Sequence, residues 1–496
     1  MRILVTGGSG VVGEPLVTEL ARRGHQVRLV SRHASRDAGQ WPEGVEPRDI
    51  DIGDGAAVWK MADDCDAVLH AAAVERESPP EATFERVNVG GTRNVLAEAA
   101  RAGVRRFVYV SSLGADRGES GYHRSKRESE ELVRGFGGSW TICRVANVYG
   151  PGDQVISVLL QWLRVLPAIP VIDDGDQPFQ PVWTEDAARA LATCVERDDL
   201  AGRVLEIAGT ERTSMNDVIG RLGRIIGRDP VRIPVPNFLA MLGLKAAEAV
   251  GIELPVDSGQ ITMLREGSVI ERDEDNALVK VFAVTPTPLD QGLRTLAQVQ
   301  PEQLPDEGVG ELERKRFWAD IEASPMSAEE LLLELRRRFA EITPWTMDLE
   351  TPEGMPHGMD EGETVTMELP LRGRIQVRVV EVEPRRITLV TLRGHPLAGV
   401  VRFLSERRGD LLRFEVQVYD RSGNLADWLA MHPLGSQVQS STWTELVQNV
   451  AEASGGRVVG EVESEQDVLG EEQAAEVESW VRELVQRHKR EKRAAE

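Results

Sequence analysis

The sequence predicts an α/β protein in which a doubly wound parallel sheet is followed by an α+β domain built on an antiparallel sheet. In the first half, short β-branched segments alternate with amphipathic helical segments, as in successive βαβ units. In the second half, apolar and polar residues alternate with a period of two, which is typical of antiparallel strands. A chain of 496 residues is also too long for a single hydrophobic core, so two or three domains are expected.

These patterns divide the chain into four segments. A nucleotide-binding pattern with a small additional lobe covers residues 1–297, and a proline-dotted acidic stretch, 298–325, reads as a linker. The α+β domain is expected at 326–456, where Ser327 and Glu330 form a capping box at the start of its first helix. Residues 457–496 run from acidic to basic and predict a solvated, charged tail helix.

Composition and charge exclude several classes of partner. The formal net charge of −23 argues against nucleic acid, which needs clustered Lys and Arg. The most apolar stretches are interrupted by proline and charged residues, so no membrane span is expected, and the N-terminus lacks the pattern of a signal peptide. Three widely spaced cysteines, without a Cys-x-x-Cys pair or a His cluster, predict a reduced cytoplasmic protein without a metal site.

The first βαβ unit contains a glycine-rich turn. "RILVTGGSGVVGEPLVTELARRGHQVRLVSR" reads as strand, turn, helix and strand, with Gly7, Gly10 and Gly13 between the first strand and the helix. Such a turn lets the backbone approach a pyrophosphate and directs the free N–H groups of the helix N-terminus at the anion. Together with Val11 and Val12, these glycines predict the binding of a dinucleotide.

The end of the second strand indicates which dinucleotide is bound. NAD-selective sites usually place an acidic residue there for the ribose hydroxyls, whereas this chain has Ser31 and Arg32, with Arg36 nearby. Guanidinium groups suit a ribose 2′-phosphate, so the sequence favours NADPH over NADH. The alternative is that Arg32 and Arg36 belong to a solvated basic loop without a ligand.

The later strands of the first half supply further candidate residues at their carboxyl ends, where doubly wound sheets bind ligands. These candidate cofactor-binding residues are Asp51, Ile52, Ala71, Ala72, Ala73, Asn88, Ser111, Ala146, Asn147 and Val148.

The order of these motifs resembles a known superfamily. "TGGSGVVG", "DIDIGD", "HAAAV", "VNVGGTRNVL", "FVYVSS", "YHRSK" and "RVANVYGPGD" are similar to the extended or atypical short-chain dehydrogenases/reductases, with an NAD(P)-binding Rossmann fold and a small substrate lobe. The likeness extends over residues 1–297 and includes the branch of the complex I accessory NADPH-binding subunit. It implies that Tyr122 is the catalytic acid/base, that Lys126 is its partner and a cofactor ligand, and that Ser112 orients the reacting oxygen.

The spacing of Tyr122 and Lys126 suits that chemistry. Residues i and i+4 share one helix face, so an ammonium can lie beside the phenol, and a nearby cation is expected to lower the pKa of the tyrosine from its usual value near 10. The alternatives are an exposed tyrosine and a solvated Lys126–Glu130 pair. The gap from Ser112 to Tyr122 is shorter than in most extended members.

The function therefore stays open between three hypotheses. The leading one is an NADP-dependent oxidoreductase acting on a carbonyl or alcohol of a small molecule. The second is a non-catalytic NADPH-binding scaffold or sensor, and the third is an epimerase or dehydratase. Apolar residues in 155–165 and 238–250 favour a lipophilic substrate, although plain core packing explains them equally well. The substrate's identity, the direction of hydride transfer and the oligomeric state are not indicated.

The second half resembles a different group of proteins. An antiparallel sheet with a long final helix is similar to the START-like, helix-grip superfamily, and "TLRGHPLAGVVRF" is similar to a bacterial family of unknown function within it. The resemblance covers residues 326–456 and implies an apolar ligand. His395 and His432 have no partner at metal-binding spacing, so loop or core positions are expected for both.

Overall fold

The computed structural model describes residues 1–166, 168–238, 240, 262, 269–298, 300–344, 348–349, 359–369, 373–423 and 435–495. The chain divides into two compact units, one of Met1–Leu163 with Pro167–Val299 and the other of Arg164–Leu166 with Gln300–Glu496. Within the described ranges, no helix is both long and apolar enough to cross a membrane. The cytoplasmic location stays a prediction.

The first unit contains a seven-stranded parallel sheet, which confirms the predicted fold class. Its strands lie in the order β10-β6-β5-β4-β1-β2-β3. They are β1 (Arg2–Thr6), β2 (Gln26–Ser31), β3 (Val45–Asp49), β4 (Ala67–His70), β5 (Arg106–Ser112), β6 (Ser139–Val145) and β10 (Arg203–Ile207). Two short parallel pairs accompany the sheet: β7 (Val148–Tyr149) with β9 (Val182–Trp183), and β8 (Ala168–Ile172) with β11 (Val231–Val235).

Helices cover both faces of this sheet. The helices of the first unit are α1 (Gly13–Arg22), α2 (Gly91–Arg101), α3 (Gly121–Arg134), α4 (Ile156–Val165), α5 (Thr184–Glu196), α6 (Met215–Ile226), α7 (Ala277–Lys280) and α8 (Leu289–Gln298). On α1, the apolar residues at helical spacing, Leu16, Val17 and Leu20, are fully buried in a core shared with α5. Val95 of α2 and Val133 of α3 belong to the core on the other face.

The register of the parallel strands brings their carboxyl ends to one edge. Thr6 at the end of β1 lies opposite Val30 of β2 and His70 of β4. On the other side of β4, Ser112 at the end of β5 lies opposite Val145 of β6. The loops after these strands therefore open onto a common crevice, which is where ligands of doubly wound sheets bind.

The second unit contains a nine-stranded antiparallel sheet in the order β13-β14-β15-β16-β17-β18-β12-β19, with β20 also paired to β12. The strands are β12 (Val309–Glu322), β13 (Asp348–Leu349), β14 (Thr364–Leu369), β15 (Gly373–Glu383), β16 (Arg386–Thr391), β17 (Leu397–Arg408), β18 (Leu411–Ser422), β19 (Arg457–Val458) and β20 (Glu463–Val468). The helices are α9 (Ala328–Arg337), α10 (Phe339–Ile342), α11 (Gly435–Ala453) and α12 (Glu471–Ala495).

This unit confirms the predicted antiparallel sheet and the capping box of Ser327 and Glu330. Helices α9, α10 and α11 pack on one face of the sheet, where Phe403, Phe414 and Trp443 belong to the same core. The relationship to the START-like superfamily stays a prediction.

Two segments differ from their predicted form. The stretch 298–325, read as a linker, contains β12, which pairs with β18, β19 and β20. The stretch 457–496 contributes β19 and β20 before α12. Helix α12 is not a solvated tail, because Val481, Leu484 and Val485 are buried against the sheet.

Candidate active site

A cleft of about 1060 Å³ opens at the carboxyl edge of the parallel sheet. It brings together nearly all of the residues that the sequence predicts for the site. Those lining it are Gly7, Gly10, Val11, Val12, Gly13, Ser31, Arg32, Arg36, Asp51, Ile52, Ala71, Ala72, Ala73, Ser112, Tyr122, Lys126, Ala146, Asn147 and Val148. Asn88 and Ser111 do not line the cleft.

The glycine turn has the close contacts that a nucleotide-binding loop requires. Gly7 has φ +73°, and a Cβ atom there would lie 2.6 Å from the backbone nitrogen of Ala72. A Cβ atom on Gly13 would lie 2.1 Å from the carbonyl oxygen of Gly7. The Thr184 hydroxyl donates a hydrogen bond of 2.6 Å to the Val11 carbonyl and so ties the turn to α5. These residues fit a pyrophosphate against the N-terminus of α1.

The end of β2 presents polar groups to the same cleft. The buried Ser31 hydroxyl has no hydrogen-bond partner within the described part of the chain. The exposed side chains of Arg32 and Arg36 line the cleft beside it. A buried hydroxyl without a partner is unfavourable, so this corner fits a polar ligand group such as a ribose or a phosphate.

Asp51 and Ile52 lie just beyond β3, whose last residue is Asp49. The Asp51 carboxylate accepts a hydrogen bond of 2.5 Å from Arg86 and another from the Gly53 backbone. Burial acts to raise the pKa of Asp51, but Arg86 and the Gly53 N–H outweigh it and lower that pKa. Asp51 is therefore an ionised residue already paired with Arg86.

Asn88 and Ser111 have internal partners. The Asn88 side-chain oxygen accepts a hydrogen bond from the Val74 N–H, and its side-chain nitrogen donates to the Val74 carbonyl. The same nitrogen donates to the Ser125 hydroxyl at 2.9 Å. The Ser111 hydroxyl donates to Glu130 at 2.7 Å. Both residues thus hold α3 against its neighbouring elements, rather than facing the cleft.

The three predicted catalytic residues come together at the N-terminal end of α3 and the end of β5. Ser120 caps α3 by accepting a hydrogen bond from the His123 N–H, so the helix begins next to Tyr122. The Ser112 side chain lies near the Tyr122 hydroxyl and acts to lower its pKa. The Lys126 ammonium donates to the Val110 carbonyl at 2.9 Å and lies 5.8 Å from the centre of the Tyr122 ring.

This geometry rules out a solvated helix face. Lys126 is 3% exposed and Glu130 1% exposed, so neither is a surface residue. Burial lowers the pKa of Lys126 to about 8, although the carboxylates of Glu75 and Glu130 act in the opposite direction. Lys126 is thus predominantly an ammonium at neutral pH.

The predicted lowering of the tyrosine pKa is wrong. Burial raises the pKa of Tyr122 well above its usual value, and the Glu75 and Tyr109 side chains raise it further. The Ser112 side chain acts in the opposite direction. The expectation failed because the Lys126 ammonium is bonded to the Val110 carbonyl, while burial and the negative charge of Glu75 oppose ionisation of the phenol. Tyr122 is therefore protonated at neutral pH.

Two acidic residues of the cleft were missed as site residues. Glu75 follows the small residues after β4 and lines the cleft with Tyr122 and Lys126. Asp153 is buried and accepts hydrogen bonds from the N–H groups of Val155, Ile156 and Ser157 at the start of α4. A signal was present for both, because Glu75 directly follows the motif "HAAAV" and Asp153 is the last residue of "RVANVYGPGD".

The far end of the cleft is apolar. Its wall includes Ile156, Leu159 and Trp162 of α4, together with Phe179 and Met215. Ile156 and Leu159 also belong to a buried core, so this segment serves both the cleft and packing. In the second predicted apolar stretch, Phe238 is exposed and Ala240 lines the cleft, whereas residues 239 and 241–250 lie outside the described residues.

A metal centre is not indicated. The described ranges contain no group of His, Cys, Asp and Glu side chains arranged to hold a metal ion. His395 is buried, and its Nδ1 bonds the Leu397 backbone at 3.0 Å. His432 lies outside the described residues.

Comparisons with known proteins agree with the predicted family. Residues 3–208 match the model of the NAD dependent epimerase/dehydratase family. The chain is 31% identical over 242 residues to a ceramide reductase from Caulobacter vibrioides, covering 48% of this chain and 75% of that protein. It is 27% identical over 292 residues to the mitochondrial NADH dehydrogenase [ubiquinone] 1 alpha subcomplex subunit 9 of Arabidopsis thaliana, covering 55% and 71% respectively.

A third relative is much longer than the matched region. An uncharacterized protein of Mycobacterium tuberculosis is 29% identical over 259 residues, which cover 51% of this chain but only 27% of that protein.

Proposed function

This chain belongs to the NAD dependent epimerase/dehydratase family, and on that premise we propose that it reduces a carbonyl group of an apolar small molecule with NADPH. One observation carries the proposal: Ser112, Tyr122 and Lys126 line the same cleft as the glycine turn. A nucleotide held by that turn and a carbonyl compound held by Ser112 and Tyr122 would share one enclosed space.

The protonation states favour the direction of reduction. When bound, the reduced nicotinamide supplies a hydride to the carbonyl carbon. Tyr122, whose pKa is raised, keeps its proton at neutral pH and gives it to the carbonyl oxygen, so the products are an alcohol and the oxidised cofactor. Ser112 orients the same oxygen, and its side chain, which acts to lower the pKa of Tyr122, stabilises the phenolate that remains.

The preference for NADPH is supported by the corner at the end of β2. The unpaired Ser31 hydroxyl and the exposed Arg32 and Arg36 suit the 2′-phosphate of NADPH, since phosphate oxygens accept hydrogen bonds from both kinds of group. Asp51, the one acidic residue among the predicted cofactor-binding residues, is paired with Arg86.

The Arg32→Asp variant is expected to bind NADPH about tenfold or more weakly, because a hydrogen bond between charged partners is lost and a like charge faces the phosphate. Binding of NADH should change far less. Fluorescence titration of each nucleotide measures both affinities. Arg203→Asp, at an exposed position of β10 outside the cleft, is the matched control. Equal losses for the two nucleotides would remove Arg32 from this role.

The apolar class of substrate is supported by the wall formed by Ile156, Leu159, Trp162 and Phe179. The name of the Caulobacter relative, a ceramide reductase, points in the same direction. Burial of an alkyl chain on such a wall contributes about 0.8 kcal/mol per CH₂ group, which is enough to select long chains over short ones.

Transfer of deuterium from NADPH labelled at nicotinamide carbon 4 tests the function directly. Incubation with long-chain ketones should give alcohols labelled at the carbinol carbon, detected by mass spectrometry. If the protein binds NADPH but transfers no label to any ketone offered, the reductase proposal is contradicted and the nucleotide-holding scaffold becomes the better explanation.

A further inference from the structure

The Glu75 carboxylate is an unassigned charged group in the cleft. Glu75 lies after the three alanines that follow β4, on the cleft wall that also includes Tyr122 and Lys126. Its side chain is open to the solvent of the cleft, yet protein atoms surround it closely enough that burial raises its pKa. Lys126 opposes this effect and Asp153 adds to it, while Glu75 itself raises the pKa of Tyr122. The carboxylate is therefore near the reacting groups.

Among the residues that the structure describes, Glu75 differs from the other acidic residues of the cleft in having no bonding partner. Asp51 is paired with Arg86, Asp153 accepts the N–H groups of α4, and Asp173 accepts the N–H of Asn237 at 2.8 Å. Within the described ranges, the Glu75 side chain makes neither a hydrogen bond nor an ion pair. The nearby Lys126 ammonium is bound to the Val110 carbonyl instead.

An apolar ligand would make this arrangement unfavourable. A substrate that fills the cleft removes water from the carboxylate, and a carboxylate without water or a hydrogen-bond donor is costly to bury. A ligand that supplies a donor at this point removes the penalty. A site built around a polar group rejects analogues that lack the matching group far more strongly than an apolar wall rejects a change in chain length.

We propose that Glu75 is a specificity-determining residue that selects apolar carbonyl compounds bearing a hydroxyl or N–H group on the carbon next to the carbonyl. This inference rests on the proposed function, because it takes the carbonyl oxygen to lie on Ser112 and Tyr122. Glu75 lines the cleft together with Tyr122 and Lys126 and acts electrostatically on both, so we take a donor on the carbon next to the carbonyl to be within its reach. The alkyl chain would then pack on the apolar residues of α4. The substrate class thus becomes an α-hydroxy or α-amino ketone with a long apolar chain.

A matched pair of ketones tests this inference. Hydroxymethyl decyl ketone offers a hydroxyl donor next to the carbonyl, and methoxymethyl decyl ketone has the same chain without the donor. Their dissociation constants for the complex of the full chain with NADP⁺ are measured by calorimetry. The wild type is expected to bind the hydroxyl compound about tenfold or more tightly, as a hydrogen bond to a charged acceptor requires.

Two variants at position 75 separate recognition from folding. Glu75→Gln keeps the size of the side chain and an uncharged acceptor, so the preference should weaken; Glu75→Leu removes the acceptor, so the preference should disappear. The control is Glu81→Gln, an exposed position on the same loop that does not line the cleft, where the preference should match that of the wild type. NADPH affinity, measured alongside, reports whether each variant has kept the nucleotide site.

Several outcomes would overturn the inference. Equal binding of the two ketones by the wild type, including no binding of either, removes the donor preference. A preference that survives in Glu75→Leu assigns it to another residue, and loss of NADPH affinity without a change in ketone preference assigns Glu75 to the nucleotide. Failure of the reductase proposal is distinguishable, because donor-selective binding would then persist without transfer of label from NADPH.

Discussion

The Tyr122→Phe variant is expected to bind NADPH as the wild type does and to lose ketone reduction by about 10²- to 10⁴-fold, the usual contribution of a general acid. Phenylalanine keeps the ring, whose centre lies 6.3 Å from that of Phe84 and 5.6 Å from that of His123. It removes only the hydroxyl, which holds the transferable proton. Fluorescence titration gives the NADPH affinity, and NADPH absorbance gives kcat.

The control for this prediction is Tyr419→Phe, which removes a tyrosine hydroxyl from β18 in the second unit, where it bonds Gln417. Reduction should be unchanged in that variant. Unaltered turnover in Tyr122→Phe would contradict the assignment of Tyr122 as the acid. A parallel loss of NADPH binding would show that the substitution damages the cleft, and the acid role would then lose its support.

The glycine turn and the Ser112, Tyr122, Lys126 set could be predicted because local geometry determines them. Gly7 and Gly13 occupy positions where a Cβ atom would collide with backbone. Only glycine fits at such positions, so the requirement can be recognised in the sequence. Tyr122 and Lys126, at i,i+4 spacing, likewise lie on one face of α3. The strand order then brings that helix to the end of β5.

The pKa of Tyr122 could not be predicted because it depends on residues distant in sequence. Glu75 comes from the loop after β4, and the Val110 carbonyl that holds Lys126 comes from β5. The contacts of Asn88 and Ser111 could not be predicted for the same reason. Their polarity suggested the cleft, whereas their actual partners, Val74 and Glu130, are fixed by the packing of α3.

Strand β12 was not predicted, because the stretch 298–325 contains several prolines and many acidic residues and therefore reads as a linker. The charged residues Arg314, Lys315 and Arg316 do not show the apolar alternation of a strand. In the structure Lys315 pairs with Asp420 of β18, while Arg314 and Arg316 pair with Asp467 and Glu465 of β20. Cross-strand charge pairs of this kind stabilise a sheet, but the partner positions are more than a hundred residues away in sequence.

The second unit should lose about 3 kcal/mol of its free energy of unfolding in the Glu302→Gln variant. Glu302 is buried, and its carboxylate bonds Arg378 at 2.6 Å and lies 3.2 Å from the Lys489 ammonium of α12. Burial acts to raise the pKa of Glu302, but Lys489 and Arg378 outweigh it and lower that pKa to about 2. The variant leaves the buried Arg378 without its counter-charge. Hydrogen exchange of the β15 and α12 amides measures the local free energy of opening.

The contribution of Glu302 to the stability of the second unit should decrease as the pH falls. Because its pKa is lowered from the ordinary value of 4.5 to about 2 on folding, the stabilisation is fully present above pH 4.5 and is lost as the pH falls towards 2. Wild type and Glu302→Gln should therefore differ most at neutral pH, differ less at pH 3 and converge below about pH 2. Glu461→Gln, at an exposed position of the same unit, should match the wild type throughout. A difference that is the same at pH 3 and pH 7 would show that the loss comes from packing, and the ion pairs with Arg378 and Lys489 would not be its cause.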